Sequence, residues 1–168
     1  PSMRSRRSGA IINVSSQAGR RPFALMSHYC ATKYALNGLS ESMAHELARF
    51  NIRVTLIEPG TVITPIFGKG NSIPEDEENY SLLQGRMIRQ VTKGLTELGC
   101  EPEVIAKCMV DFVTTENPKL HYLLASDAVD NVDVFQKYGP ETWVADGEIL
   151  DDDEFFNVMK DRYGYEIG

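Results

Sequence analysis

Two short runs rich in β-branched and apolar residues, 10–16 and 52–58, bracket a stretch of helical periodicity, and that strand–helix–strand order commits the chain to an α/β fold. The runs are apolar enough for strands buried on both faces, as in a parallel sheet. Between residues 28 and 50, Leu36, Leu39, Met43, Leu47 and Phe50 recur at spacings of three and four, the stripe a helix turns to a core. Glu41, His45, Glu46 and Arg49 fill most of the other side. Pro59 and Gly60 end the second run with a turn-forming dipeptide. The three elements make a βαβ unit, with the helix as crossover.

Further along, residues 68–79 carry glycine, proline and a run of acids and read as a loop, either a cover over the Thr64 end of the second strand or a plain surface loop. A second helix begins near Glu101-Pro102, with proline in its first turn and Val104, Ile105, Cys108, Met109, Phe112 and Val113 on one face; Asn117-Pro118 ends it. Residues 121–125 read as a last strand, and 128–168 as an acidic, aromatic extension.

At 168 residues and 42% hydrophobic content, the chain has material for one sizeable core, so a single domain is expected. A formal net charge of -7 disfavours nucleic acid and anionic membrane as partners. Arg4, Arg6, Arg7, Arg20 and Arg21 are scattered and read as solvated helix end and loop. Three cysteines, Cys30, Cys100 and Cys108, lack the paired spacing of a zinc site and fit reduced, packed thiols in a cytoplasmic protein. No metal is expected. The acidic run Asp151-Asp152-Asp153-Glu154 lacks the alternation and glycine of a calcium loop and reads as solvated acids. Phe155, Phe156, Tyr163 and Tyr165 would dock the extension onto the domain or a second subunit. No apolar run reaches the length of a membrane span.

The chemistry lies in a hydroxyl, a phenol and an ammonium in the order Ser16, Tyr29, Lys33. Tyr29 and Lys33 are one helical turn apart and project from one face, which brings the lysine cation toward the phenol. A phenol is a sluggish base at neutral pH unless a cation stabilises its ionised form. With that support, Tyr29 is a candidate general acid/base for carbonyl–alcohol redox chemistry, and Ser16 a hydroxyl able to hold the substrate oxygen. Each feature also has a plain reading: an ordinary surface pair on a helix, a strand-end hydroxyl, a turn. Their order and spacing jointly favour the redox site. Ser15 and Ser16 face opposite sides of the strand, so only one can meet Tyr29. Asn13 reads as structural.

Three segments carry a family resemblance: Gly9 through Gly19, Tyr29 through Leu39 with its Tyr-x-x-x-Lys pair, and Asn51 through Thr64 with Glu58-Pro59-Gly60. They resemble three consecutive signatures of the short-chain dehydrogenase/reductase family. The resemblance is close over roughly the first 65 residues, looser to about residue 127, and fades beyond. It implies a partial Rossmann-like, doubly wound parallel sheet between helical layers. It implies NAD or NADP as cofactor, and an alcohol or ketone as small-molecule substrate. It assigns catalysis to Ser16, which lies thirteen positions before the tyrosine, with Tyr29 and Lys33. Lys33 would also donate to the nicotinamide ribose. Pro59, Gly60, Val62 and Thr64 would line the nicotinamide end, Thr64 and the Val62 backbone near the carboxamide. The helix over residues 29–50 would pair subunits in a homo-oligomer.

The departure from the family lies at the front. A dinucleotide-binding domain opens with a strand, a glycine-rich turn and a helix that meets the pyrophosphate. No such motif is present in these 168 residues, nor is the residue that would choose between NAD and NADP, nor the asparagine of the family's proton relay. The expectation is therefore a C-terminal half, with roughly 120 residues of nucleotide-binding half missing. Two function classes follow. One is an oxidoreductase active as part of a longer polypeptide; the other is a catalytically incompetent remnant serving as an oligomerisation or interaction module, with nucleotide binding as the discriminator.

Overall fold

Three parallel strands form the sheet, in the order β1 (Gly9–Val14), β2 (Ile52–Pro59), β3 (His121–Leu124). The structure, a computed structural model, describes residues 1–68 and 77–164. A short helix α1 (Ser2–Arg6) leads into β1, and α2 (Ser27–Ala48) connects β1 to β2. After β2 come a 3-10 turn (Pro65–Gly68), α3 (Glu77–Lys93) with a π-helical turn (Gly94–Leu98), and α4 (Pro102–Thr114), which leads to β3. Two further helices follow, α5 (Ser126–Asp146) and α6 (Asp152–Tyr163). Among the described residues no helix is long and apolar enough to cross a membrane.

The register aligns Gly9 with Ile52 and Val14 with Ile57, then Leu56 with His121 and Pro59 with Leu124. Strand β2 is central and buried along nearly its whole length. Strand β1 is half-buried, not enclosed as expected, because it is the edge of this sheet; Val14 is 45% exposed.

Helices pack on both faces of the sheet, α4 on one and α2 on the other. On the α4 face, Ile57 packs with Ile105 and Cys108 of α4, joined by Ile12, Met109, Tyr122 and Leu124. This is an apolar core of the kind the periodicity of α4 announces. Val104 and Val113, assigned to the same stripe, are 45% and 49% exposed: they flank the stripe and miss the sheet.

The face toward α2 is apolar along Ile52, Val54 and Leu56, all buried, and carries a polar layer toward the carboxyl end of the strands. Asn13 donates to Ser40 Oγ (2.8 Å), and Ser15 donates to Asn37 Oδ1 (2.6 Å). Asn37 in turn donates to the fully buried carboxylate of Glu58 (2.7 Å). The buried positions of α2 are Cys30, Asn37 and Ser40, whereas Leu39, expected in the core stripe, is 56% exposed. Polar groups buried between helix and sheet need partners, and here each helix residue is matched to a strand residue.

The extension beyond β3 is helical. In α5 two helical segments meet at Gly139 (φ 83°, ψ 170°), a conformation that suits glycine, with Pro140 next. Helix α6 clamps to α3 through Arg86, which is 4% exposed, bonds Asp152 (2.8 Å) and the Ile149 carbonyl (2.9 Å), and stacks on Phe155 (3.9 Å to the ring centroid). The acidic run is therefore not simply solvated. Asp151 caps α6 through the Glu154 amide (2.8 Å), and Asp152 pairs with Arg86, while Asp153 and Glu154 stay exposed. Phe155 is buried, in keeping with the docking role expected of the extension's aromatics; Tyr165 lies outside the described residues. The expected loop over 68–79 falls largely outside them too, and from Glu77 the chain is helical.

Candidate active site

The carboxyl end of the sheet is where the sequence-assigned residues collect. Ser16 follows β1 and caps a 3-10 turn (Gln17–Gly19), its Oγ accepting from the Ala18 amide at 3.1 Å. The same hydroxyl approaches the Pro59 carbonyl at 3.5 Å, so the serine loop and the turn after β2 meet directly. Ser15 points the other way, into Asn37, as strand alternation requires.

Tyr29 and Lys33 lie in the first turns of α2. Lys33 Nζ sits 5.5 Å from the centroid of the Tyr29 ring and donates to the Val14 carbonyl at 3.1 Å. Tyr29 is 40% exposed, and its hydroxyl makes no hydrogen bond among the described residues. The structure thus joins Tyr29 to Lys33, and Ser16 to Pro59, and shows no hydrogen bond between Ser16 and Tyr29.

The turn after β2 is held tightly. The Gly60 amide donates to the Leu124 carbonyl (2.8 Å), and Val62 bridges Cys100 beside the π-helical turn. Gly60 is required less by backbone conformation than by a neighbour: a Cβ there would sit 2.6 Å from Asp127 Cγ. Asp127, in the first turn of α5, is 5% exposed. Its Oδ2 accepts from the Thr61 amide (2.9 Å), the Thr61 hydroxyl (2.9 Å) and Gln17 Nε2 (3.1 Å). Thr64 follows, half-buried, at the start of the 3-10 turn.

Beneath this site Glu58 organises the polar layer. Its carboxylate accepts from Asn37 and meets Arg20 Nη1 (3.4 Å) and His121 Nδ1 (3.0 Å). His121 also approaches Glu41 of α2 (3.5 Å), so β3 and α2 meet through one imidazole. Arg21, read as a solvated loop residue, is 1% exposed: it bonds Asn131 of α5 (3.1 Å) and lies over the rings of Phe23 (4.2 Å) and Trp143 (4.9 Å). Enclosure between aromatic faces suits guanidinium, which is weakly hydrated.

Burial raises the Cys100 thiol above its ordinary value, with the Asp127 and Glu101 charges adding to the effect. Cys108 is raised by burial first and Asp111 second. All three cysteines are free, and Cys30 is 6% exposed, a packed thiol beside Tyr29. Among the described residues no cluster of three His, Cys, Asp or Glu side chains could hold a metal.

Sequence reasoning missed Asp127, Gln17 and the buried role of Glu58. Only Glu58 carried a signal, an acid at the end of a run otherwise apolar enough to be fully buried, which demands partners.

Comparison with known proteins follows the same lines. Residues 1–74 match the family model for short chain dehydrogenase. Oxidoreductase BOA17 of Botryotinia fuckeliana is 32% identical over 130 residues, covering 77% of this chain and 47% of that protein. Retinol dehydrogenase 8 of Bos taurus is 32% identical over 127 residues, covering 71% of this chain and 41% of that protein. A short-chain dehydrogenase of Streptomyces avermitilis superposes with a TM-score of 0.69 at 36% identity, over 82% of this chain and 50% of that one. The chain spans about half the length of the curated relatives it matches. With its α/β architecture and these relatives in agreement, the chain belongs to the short-chain dehydrogenase/reductase family.

Proposed function

We propose that the chain carries the carbonyl-handling site of a nicotinamide-dependent oxidoreductase that interconverts a secondary alcohol and its ketone. The observation that carries the reading is the placement of Lys33 Nζ 5.5 Å from the Tyr29 ring, at the sheet end where Ser16 and Pro59 meet. A nicotinamide, when bound, supplies or accepts the hydride. Tyr29 gives its hydroxyl proton to the carbonyl oxygen during reduction and takes it back during oxidation. The Lys33 ammonium stabilises the phenolate left behind. Ser16 donates a hydrogen bond to the substrate oxygen; its 3.5 Å approach to the Pro59 carbonyl is long, so its proton is readily redirected.

The residues present fit the cofactor. Lys33 has three N–H donors and spends one on the Val14 carbonyl, leaving two for ribose hydroxyls. Pro59, Gly60, Val62 and Thr64 would line the nicotinamide end. One relative is named an NADPH-dependent 3-dehydrocapnine reductase and another a 3-ketodihydrosphingosine reductase. The ketones in those two names, 3-ketodihydrosphingosine and 3-dehydrocapnine, are therefore the substrates to try first, with NADH and NADPH compared.

The test is Tyr29→Phe in the native full-length polypeptide. Turnover should fall on the order of a hundredfold or more, with the cofactor dissociation constant nearly unchanged. Retention of near-full kcat would refute the assignment.

A second reading rests on the outer side of α2, where Tyr34 is 43% and Leu39 56% exposed. These side chains suit pairing of the helix with a second copy, as expected for a homo-oligomer. Defined oligomers that never retain nucleotide would favour an interaction module; nucleotide retained on purification would favour the enzyme.

A further inference from the structure

We propose that Asp127 is a positioning residue: from α5 it locks the Gly60–Thr61 turn onto the Ser16–Gln17 loop, and so sets where a nicotinamide ring can lie relative to the serine. The inference rests on the redox reading above.

Three observations carry it. First, the bonds converge from segments far apart in the chain. Oδ2 takes the Thr61 amide and hydroxyl from one and Gln17 Nε2 from the other, while Gln17 directly follows Ser16 and Thr61 directly precedes Val62. Second, the carboxylate is 5% exposed, and its Oδ1 has no hydrogen-bond partner among the described residues and is turned onto Gly60, the atom a Cβ there would meet first. A carboxylate in such a place is costly, so every donor it gathers is held firmly. Third, the chain enters α5 through Ala125 at φ 75°, ψ 148°, a left-sided conformation costly for a residue with a Cβ. That entry delivers Asp127 to the turn at the helix N-terminus, where negative charge is favoured.

Asn131, one turn further along α5, completes the frame. It donates to Gln17 Oε1 (2.9 Å) and accepts from Arg21 (3.1 Å), so both ends of the Gln17 amide are held by one helix. Ser16 and Pro59 already touch at 3.5 Å, and Asp127 adds the shorter second tie between the same two loops.

The test is Asp127→Ala, with Asp127→Asn as the conservative control, in the native full-length polypeptide. Hydrogen exchange should quicken in peptides covering 16–21 and 60–64 and stay unchanged in β2 and α2. NADH and NADPH binding should weaken on the order of tenfold, while affinity for ADP-ribose, which lacks nicotinamide, should hold within about twofold. Asp127→Asn keeps an acceptor for Thr61 and should restore most of the nicotinamide-dependent affinity. Parallel loss of ADP-ribose and dinucleotide binding would reduce Asp127 to a folding residue and overturn the proposal, as would exchange that rises throughout the sheet. If the unsubstituted protein binds ADP-ribose but gains nothing from the nicotinamide, the proposal is overturned. If it binds neither nucleotide, the redox reading itself fails, and the positioning role with it.

Discussion

Replacing Gly60 by alanine isolates one contact. The backbone at Gly60 does not adopt the left-handed conformation that only glycine tolerates, so the methyl itself is the whole perturbation. It would stand 2.6 Å from Asp127 Cγ and 2.8 Å from Oδ2, where ordinary contacts begin near 3.4 Å. Oδ1 would be nearer still, so Asp127 must withdraw by more than an ångström, too far for its 2.9 Å bonds to the Thr61 amide and hydroxyl to survive. Two hydrogen bonds to a charged group, each at about 1.5 kcal/mol, sum to about 3 kcal/mol. Alanine restricts the unfolded chain and returns about 0.5 kcal/mol. The net cost is about 2.5 kcal/mol, or roughly 5–10 °C in Tm for a domain of this size. Urea denaturation followed by circular dichroism measures it, in wild type, Gly60→Ala, Asp127→Ala and the double variant. If the clash is the cause, Gly60→Ala should cost less than about 0.5 kcal/mol once Asp127 is already alanine. An equal cost in both backgrounds would refute the argument, and so would a negligible cost in the wild-type background.

Other outcomes follow from the same contacts. Arg86→Met should release α6 from α3: limited proteolysis between residues 147 and 164 should accelerate, with a stability loss of about 2 kcal/mol, since Asp152 is part-exposed and keeps its own solvation. Unchanged cleavage would show that the clamp does not hold the extension. Burial raises the Asp130 carboxyl above its ordinary value, with Asp133 and Asp127 adding to the shift. A raised folded pKa means that protonated Asp130 favours the native state below the ordinary carboxylate range, and that this support is lost as pH rises through the folded value. Asp130→Asn should therefore raise stability near pH 7, with the gain disappearing below about pH 4; a gain that persists in acid would contradict the sign. The Cys100 and Cys108 thiols, both raised by burial, should alkylate more slowly at neutral pH than a free thiol and recover that rate on denaturation, as read by mass spectrometry.

The order β1, α2, β2, α4, β3 was legible because it is written in local periodicity, whereas the helices α3, α5 and α6 were not read. Runs of apolar and β-branched residues marked the strands, and spacings of three and four marked α2 and α4; alternation said that Ser15 and Ser16 face opposite sides, and the family resemblance chose Ser16. The spacing of Tyr29 and Lys33 within one helical turn likewise needed nothing beyond α-helix geometry, and the structure sets the ammonium beside the ring.

Tertiary structure alone decided what surrounds those residues. Leu39 looks like core and faces outward, because Asn37 and Ser40 are the side of α2 turned to the sheet, where their partners are Asn13 of β1, Ser15 just after it, and Glu58 of β2. Arg21 looks like a solvated loop and is enclosed by Phe23 and Trp143, more than a hundred residues apart in sequence. Asp127 looks like one acid among many, and becomes the tie between two loops only when α5 folds back over the carboxyl end of the sheet. Periodicity reports which side of an element is apolar. It does not report which distant polar group will be waiting there, and a buried polar contact depends on that meeting.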